Sequence, residues 1–107
     1  MVSAELLEEA AHRFALLGDP TRLRILSVLH DAGELPVGEL AERAGVTREN
    51  ASQHLGRLAT AGMVARRREG TSVHYRVSDA TLAQVCDLVC DAVRQQATRF
   101  SVPVQRR

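Results

Sequence analysis

Residues 37–62 read VGELAERAGVTRENASQHLGRLATAG, and this stretch decides the fold of the 107-residue chain. Gly45 supplies the backbone freedom that a helix end and a sharp turn need, and Thr47 is a good N-cap for the segment that follows. Apolar side chains recur at helical spacing on both sides of this turn: Val37, Leu40, Ala41 and Ala44, then Ala51, Leu55, Leu58 and Ala59. Two short helices joined by such a turn are typical of a helix-turn-helix.

The outward face of the second helix favours a nucleic-acid partner. Small or polar residues lie opposite its apolar stripe: Glu49, Asn50, Gln53, Gly56, Arg57 and Thr60. Asn and Gln can bond adenine edges in pairs, and Arg can bond guanine or phosphate. An ordinary solvated helix face is also polar, and some helix-turn-helix modules bind no DNA. On this stretch alone, both interpretations stay open.

Positive charge is concentrated at this helix and just after it. The net charge is only +1, and all 14 basic residues are Arg. From Arg48 to Arg76 there are six Arg (48, 57, 66, 67, 68 and 76) and two acids, Glu49 and Glu69. The first 42 residues hold eight acids and three Arg. This asymmetry is the electrostatic footprint expected of a DNA-binding face.

Composition places the chain among globular proteins. It is 45% hydrophobic and 25% charged, and its length suits one compact domain and not two. No apolar run approaches the roughly 18 residues of a membrane span, and no basic-plus-apolar leader is visible. Two Cys disfavour a disulfide-stapled secreted fold. We expect a cytoplasmic protein without membrane contact.

Helices are predicted before and after this core, together with one hairpin. Ser3 can cap a helix over residues 3–17, and Asp19 followed by Pro20 opens a second helix, which is apolar enough to be central. Two β-prone runs around Gly70 predict a hairpin. A hairpin directly after a recognition helix is the wing of a winged helix.

A last helix over about residues 80–97 carries more apolar surface than a small domain needs. Its stripe consists of Leu82, Val85, Cys86, Val89 and Val93. A partner helix is the natural cover, so we predict a homodimer. The predicted architecture is a mainly α winged helix-turn-helix of five helices and a small β-hairpin. It forms one domain over residues 1–97, dimeric through helices at both ends, with residues 98–107 a mobile tail.

The predicted DNA contacts fall into two groups. On the recognition helix, Asn50, Gln53 and Arg57 are expected to read bases of double-stranded DNA, with Arg48 and Ser52 at phosphates or base edges. His54 flanks the core side of that helix and is interpreted as a structural or phosphate-contacting residue. The wing is expected to hold the DNA backbone through four residues: Arg66, Arg67, Arg68 and Thr71.

Several motifs in the same order resemble the ArsR/SmtB repressors. The resemblance covers about residues 12–80 and rests on FALLGDPTRLRIL at 14–26, ELA at 39–41, SQHL at 52–55, Leu58, AGMV at 61–64, RREG at 67–70 and Tyr75. It implies a dimeric winged-helix repressor that leaves its operator when it binds an inducer, often a metal ion.

The sensor residues that the family uses are largely missing from this chain. Arsenic and cadmium/lead sensors carry Cys-x-Cys in a segment like residues 34–40, where this chain has Pro36 and Gly38 at the thiolate positions. Zinc and cobalt sensors use four ligands on the last helix, of which only Asp79 remains here. Helix capping explains Asp79 equally well.

Two local pairs remain as candidate metal ligands. Cys86 and Cys90 are i, i+4 on the last helix, where they can ligate one ion or react as a dithiol. Free Cys also packs as a small hydrophobe in an interface. Glu8 and His12 form an i, i+4 pair on the first helix, with a solvated pair as the alternative. Ligands of the His, Glu or Asp type favour a nickel- or zinc-like divalent ion.

Three functions compete at this point. The first is a metal-responsive repressor, and the second is a repressor with a thiol switch or with no ligand. The third is a winged-helix module that binds a partner protein. Enzyme activity has no support, because the sequence shows no nucleophile–base motif, no phosphate loop and no second domain to form a cleft.

Overall fold

The computed structural model describes residues 2–100. Eight elements follow one another along this part of the chain: α1 (Ala4–Leu17), α2 (Pro20–Ala32), β1 (Glu34–Pro36), α3 (Val37–Ala44), α4 (Arg48–Thr60), β2 (Val64–Glu69), β3 (Ser72–Val77) and α5 (Ala80–Phe100). The mainly α winged helix-turn-helix expected from the sequence is therefore confirmed. No helix of the described residues is long and apolar enough to cross a membrane.

Side-chain caps fix where the helices begin. The Ser3 hydroxyl accepts the N–H of Leu6 at 3.2 Å, and the Thr47 hydroxyl accepts the N–H of Asn50 at 3.0 Å. The Asp19 carboxylate accepts two backbone N–H groups of α2, one of which holds the pKa of Asp19 below its ordinary value. All three caps fall where the sequence predicts them.

A left-handed glycine closes the helix-turn-helix. Gly45 has φ of +72°, and its N–H returns to the carbonyl groups of the last turn of α3. Glycine adopts this conformation without the steric cost that a Cβ atom brings. Only three residues therefore separate α3 from α4, so the relative orientation of the two helices is tightly set.

The core lies where α2, α3 and α4 meet the sheet. Its largest fully buried side chains are Ile25, Leu29, Leu40, Leu55, Leu58 and Met63. The apolar stripes predicted for α3 and α4 are buried in the structure, apart from Ala59, which is half-buried. The described residues include no buried polar or charged side chain, so apolar side chains alone form the core.

The sheet contains one strand more than the predicted hairpin. Its order is β1-β3-β2, and β1 pairs antiparallel with β3 so that Leu35 lies opposite Tyr75. Both of these side chains are buried. Pro36 is tolerated because β1 is an edge strand, where a missing N–H costs no ladder hydrogen bond. Three residues are too few to show an alternating pattern, so only the pairing with β3 identifies this strand.

The last helix is longer than predicted and only partly packed on its own domain. It continues to Phe100. Residues 101–107 of the expected tail lie outside the described part. Leu82, expected at the dimer interface, is buried in the core of its own chain. Farther along, Leu88 is 71% exposed, and Val89 and Val93 are also exposed.

The first helix leaves a similar apolar surface. Leu6, Leu7 and Phe14 are each more than half exposed on α1. The two terminal helices therefore present several uncovered apolar side chains, whereas the helices between them bury most of theirs, with Leu23 on α2 39% exposed. Such surfaces mark interaction sites.

Candidate nucleic-acid interface

The recognition helix α4 separates its anchoring residues from its polar residues. Ala51, Leu55 and Leu58 are fully buried on one side. On the other side, small and polar side chains reach solvent: Asn50 in part, and Ser52, Gln53, Gly56, Arg57 and Thr60 fully. The structure thus brings the predicted base-reading residues together on one exposed face. Their amide and guanidinium groups are the donors and acceptors that suit base edges.

Gly56 lies within this polar face without an internal reason to be glycine. A Cβ atom built there would meet nothing within 4 Å, and its φ is not in the left-handed region. Glycine in a helix interior costs about 1 kcal/mol relative to alanine. No neighbouring group of the described chain would clash with a side chain at this position. The absence of a side chain therefore suits a close approach by a molecule from outside.

Arg48 lies between the two helices of the motif. It is exposed at the start of α4, and its Nη1 atom is 4.0 Å from the position that a Cβ on Gly38 would occupy. Its charge is therefore presented where α3 and α4 begin side by side. An exposed guanidinium beside two helix N-termini suits a phosphate group.

His54 has a partner that the sequence does not reveal. The Nε–H of Arg22 donates to Nδ1 of His54 over 3.1 Å, and Nη1 of the same guanidinium donates to the carbonyl of Leu16 over 3.4 Å. Arg24, two residues on, donates to the carbonyl of Ala44 at the end of α3 over 3.2 Å. These two arginines attach α2 to both helices of the helix-turn-helix.

Arg67 in the wing is engaged within the chain. Its guanidinium donates to Glu34 over 2.6 Å and to Glu69 over 3.1 Å. The Arg67 hydrogen bond holds the pKa of the Glu34 carboxyl below its ordinary value, and both carboxylates raise the pKa of Arg67. The sequence predicts the same DNA-backbone contact for the three wing arginines. The structure shows that Arg67 differs from Arg66 and Arg68 in having carboxylate partners within its own chain.

Strand alternation explains why the three arginines differ. Successive side chains of a strand point to opposite faces. Arg66 lies opposite Tyr75 and shares the face that packs on the core, whereas Arg67 lies opposite His74 on the other face, where Glu34 stands. None of the ion pairs among residues 2–100 involves Arg66 or Arg68. Those two arginines and Thr71 at the exposed tip are available to DNA.

The two cysteines border an apolar groove between α2 and α5. Both are free thiols; Cys86 is half-buried and Cys90 is exposed. Burial raises the pKa of Cys86, and the nearby Cys90 and Asp87 raise it further. The groove has a volume of about 700 Å³ and is lined mainly by aliphatic side chains of the two helices. A thiol in such surroundings stays protonated at neutral pH.

The other metal candidates are not assembled into a site. Glu8 and His12 are both exposed on α1, and across residues 2–100 no group of three or more His, Cys, Asp or Glu is placed to hold a metal ion. Asp79 accepts the N–H of Thr81 at 3.0 Å and lies 3.7 Å from Arg13. Its contacts are those of a capping residue.

Comparison with known proteins gives related regulators. A helix-turn-helix domain family matches residues 17–67. The transcriptional regulator KmtR of Mycobacterium tuberculosis is 42% identical over 75% of this chain, which spans 58% of KmtR. CmtR of the same organism is 42% identical over 78% of the chain and 71% of CmtR. The arsenical resistance operon repressor of Escherichia coli is 35% identical over 86% of the chain and 79% of that protein.

Solved structures agree with the sequence relatives. The AntR antimony-specific transcriptional repressor superposes with a TM-score of 0.83 at 28% identity, covering 92% of this chain and 88% of AntR. The homodimeric winged helix-turn-helix DNA-binding domain of a possible ArsR-family regulator from Mycobacterium bovis gives 0.74 at 31% identity, with coverages of 96% and 93%. The chain therefore belongs to the ArsR/SmtB family of winged helix-turn-helix transcriptional repressors.

Proposed function

We propose that two copies of this chain bind one operator in the cytoplasm, with α4 of each copy in successive major grooves. Asn50, Gln53 and Arg57 read bases, and Arg48 and Ser52 contact phosphates or base edges. The wing holds the DNA backbone through Arg66, Arg68 and Thr71. Arg67 has a different role, because its ion pairs with Glu34 and Glu69 fix the wing to β1.

One observation carries the base-reading part of this proposal. Gly56 stands inside the continuous helix α4 without any packing reason within the described chain, and it lies between Gln53 and Arg57 on the exposed face. A solvated face gains stability from alanine at such a position. A face that must approach a groove wall loses contact when a side chain is added. Glycine at position 56 therefore fits a DNA-approaching face and not a solvated one.

A second copy accounts for the exposed apolar side chains on the terminal helices. Leu6, Leu7 and Phe14 on α1 and Val89 and Val93 on α5 remain uncovered in one chain. Covering them with the same helices of a second copy forms an isologous seam. A twofold dimer also presents two recognition helices about one DNA turn apart, as successive major grooves require.

The inducer that fits the chain is a thiophilic metal or metalloid ion held by Cys86 and Cys90. The two thiols are one helical turn apart beside the groove, and thiolates select soft ions. Two of the relatives are named for arsenic and antimony. A dithiol switch that responds to oxidants uses the same pair, and a nickel- or zinc-like ion at Glu8 and His12 is the alternative that uses other ligands.

Selection from a pool of random-sequence duplexes tests operator binding directly. We expect the wild-type chain to enrich an inverted repeat whose half-sites are about 10 base pairs apart, or a multiple of that distance. Arg57→Ala should lose about 1–3 kcal/mol of affinity for the enriched duplex and relax one base preference, as the loss of a bidentate guanine contact predicts. A pool that stays random after selection contradicts operator binding.

Substitutions at Gly56 separate folding from DNA approach. Gly56→Ala should raise the free energy of unfolding by up to about 1 kcal/mol, because the added methyl meets open space and favours the helix. Gly56→Leu should keep most of that gain but weaken binding to the selected duplex by at least about tenfold, since its side chain holds the helix away from the groove. Thermal unfolding and fluorescence anisotropy measure the two effects. Unchanged affinity for Gly56→Leu removes this face from the interface.

The wing arginines should differ in the salt dependence of binding. Each arginine that neutralises a phosphate contributes about one unit to the slope of log affinity against log salt. Arg66→Gln and Arg68→Gln should each lower the slope by about one. Arg67→Gln should change it much less, because Glu34 and Glu69 already neutralise that charge. Equal changes in slope for all three variants contradict the assignment.

The inducer proposal predicts that Cd²⁺, used as a thiophilic probe, releases the selected duplex from the wild-type dimer. The variant with both Cys86→Ser and Cys90→Ser should keep the duplex. Because burial raises the pKa of Cys86, the ion must displace the proton of that thiol. The apparent affinity for Cd²⁺ therefore rises with pH, by about tenfold per unit from this thiol while it is protonated. Ultraviolet absorption of the thiolate–metal bond measures this affinity.

The alternative inducers have their own controls. His12→Ala should leave the response to Cd²⁺ unchanged, because this residue lies on α1 and is no ligand in the thiol proposal. Release by Ni²⁺ or Zn²⁺ that is lost in His12→Ala and retained in the double Ser variant favours the Glu8–His12 pair. Release by a mild oxidant in a metal-free buffer favours the dithiol switch. Cd²⁺-driven release that persists without the thiols rules out Cys86 and Cys90 as its ligands.

A further inference from the structure

We infer that Arg22 is a positioning residue for operator binding, which fixes the recognition helix α4 relative to the terminal helix α1 and sets the tautomer of His54. The inference rests on the proposed function, since it concerns how the same DNA-binding face is held. Arg22 lies on α2, outside the face expected to touch DNA.

The contacts of one guanidinium join three helices. Nε donates to Nδ1 of His54 on α4 over 3.1 Å, and Nη1 donates to the carbonyl of Leu16 near the end of α1 over 3.4 Å. The backbone N–H of Arg22 is itself held by Asp19, the N-cap of α2. Arg22 is half-buried, so these hydrogen bonds compete less with water than those of an exposed arginine.

Among the side-chain hydrogen bonds described for residues 2–100, no other one links α1 to α4. Helix α1 packs mainly on α2, so α1 and α4 are related largely through that helix. Since the exposed apolar residues of α1 belong to the proposed dimer seam, Arg22 connects the seam to the DNA-reading helix.

The chemistry of the contact fixes the protonation of His54. An arginine only donates hydrogen bonds, so Nδ1 of His54 must carry no proton in order to accept one. The ring proton then lies on Nε2. This arrangement leaves Nε2–H as the single donor of the half-buried ring. Arg22 thereby determines which ring atom of His54 can donate towards a phosphate.

Arg24 provides a matched control on the same helix. It also donates one hydrogen bond to a main-chain carbonyl, that of Ala44, and also attaches α2 to the helix-turn-helix. Its described side-chain hydrogen bond goes to α3 and not to a side chain of α4. A general weakening of the fold should affect both arginine variants, whereas loss of positioning should affect only Arg22.

The test measures binding of the full chain to the selected duplex and to a shuffled duplex of equal length. Arg22→Gln should weaken specific binding by at least about tenfold, because it removes both hydrogen bonds of the guanidinium, to His54 and to Leu16. Binding to the shuffled duplex should stay nearly constant. Arg24→Gln should change specific binding by less than about twofold. In a His54→Ala background, Arg22→Gln should have little further effect, because its partner is already gone.

A spectroscopic measurement reports the tautomer independently of affinity. Side-chain ¹⁵N NMR of the wild-type chain should show an unprotonated Nδ1 and a protonated Nε2 at His54, with His54→Asn used to assign the signals. Arg22→Gln should give a mixture of the two tautomers. If Arg22→Gln does not fold, Arg22→Lys replaces it, because an ammonium group lacks the planar fork that serves both acceptors.

The outcomes separate this inference from the function on which it rests. If the wild-type chain enriches no duplex, operator binding itself fails. If it enriches a duplex and Arg22→Gln binds that duplex as the wild type does, only the positioning role is overturned. Equal losses in Arg22→Gln and Arg24→Gln, additive effects with His54→Ala, or a protonated Nδ1 in the wild type each overturn it as well.

Discussion

Burial of one side of α4 is the constraint on which the rest of the structure depends. Leu55 and Leu58 are fully removed from water, and each such side chain contributes about 1.5–3 kcal/mol relative to an exposed one. Their packing, with α4 against α3 and β2, sets the rotation of α4 about its own axis. That rotation exposes Gln53, Gly56 and Arg57 together. The functional face is thus a consequence of core packing.

The arginines divide into two groups according to whether a carboxylate, carbonyl or imidazole of the same chain accepts hydrogen bonds from them. Arg22, Arg24 and Arg67 meet acceptors of their own chain, whereas Arg57, Arg66 and Arg68 have no ion pair among residues 2–100. Arg67, which two carboxylates neutralise, adds little to phosphate attraction, whereas arginines without an ion pair add their full charge. A chain of net charge +1 therefore keeps unpaired positive charge on α4 and in the wing.

The helices could be predicted because their signals are local in sequence. Side-chain contacts between residues far apart in sequence could not be predicted. Caps such as Ser3, Asp19 and Thr47 and the 3.6-residue periodicity act over a few positions, so the sequence reveals them directly. The His54 contact with Arg22 spans 32 positions and the Glu34 contact with Arg67 spans 33, and no periodic pattern encodes them. The predicted hairpin already implies that Arg66 and Arg67 point to opposite faces of the sheet. Which of the two faces carries the acidic partner Glu34 depends on β1, whose pairing the sequence does not reveal.

The rigidity of α4 restricts how the proposed inducer can act. Close-packed interiors shift between discrete arrangements and do not deform gradually, so an ion at Cys86 and Cys90 has little means of reshaping a helix anchored by fully buried leucines. Both thiols lie on α5, which packs on its own core through Leu82 and leaves Val89 and Val93 for a partner. An ion that favours one arrangement of the terminal helices changes the spacing of the two recognition helices. Under the proposed function, the operator is then released because the spacing between the two copies of α4 changes, while each α4 keeps its own structure.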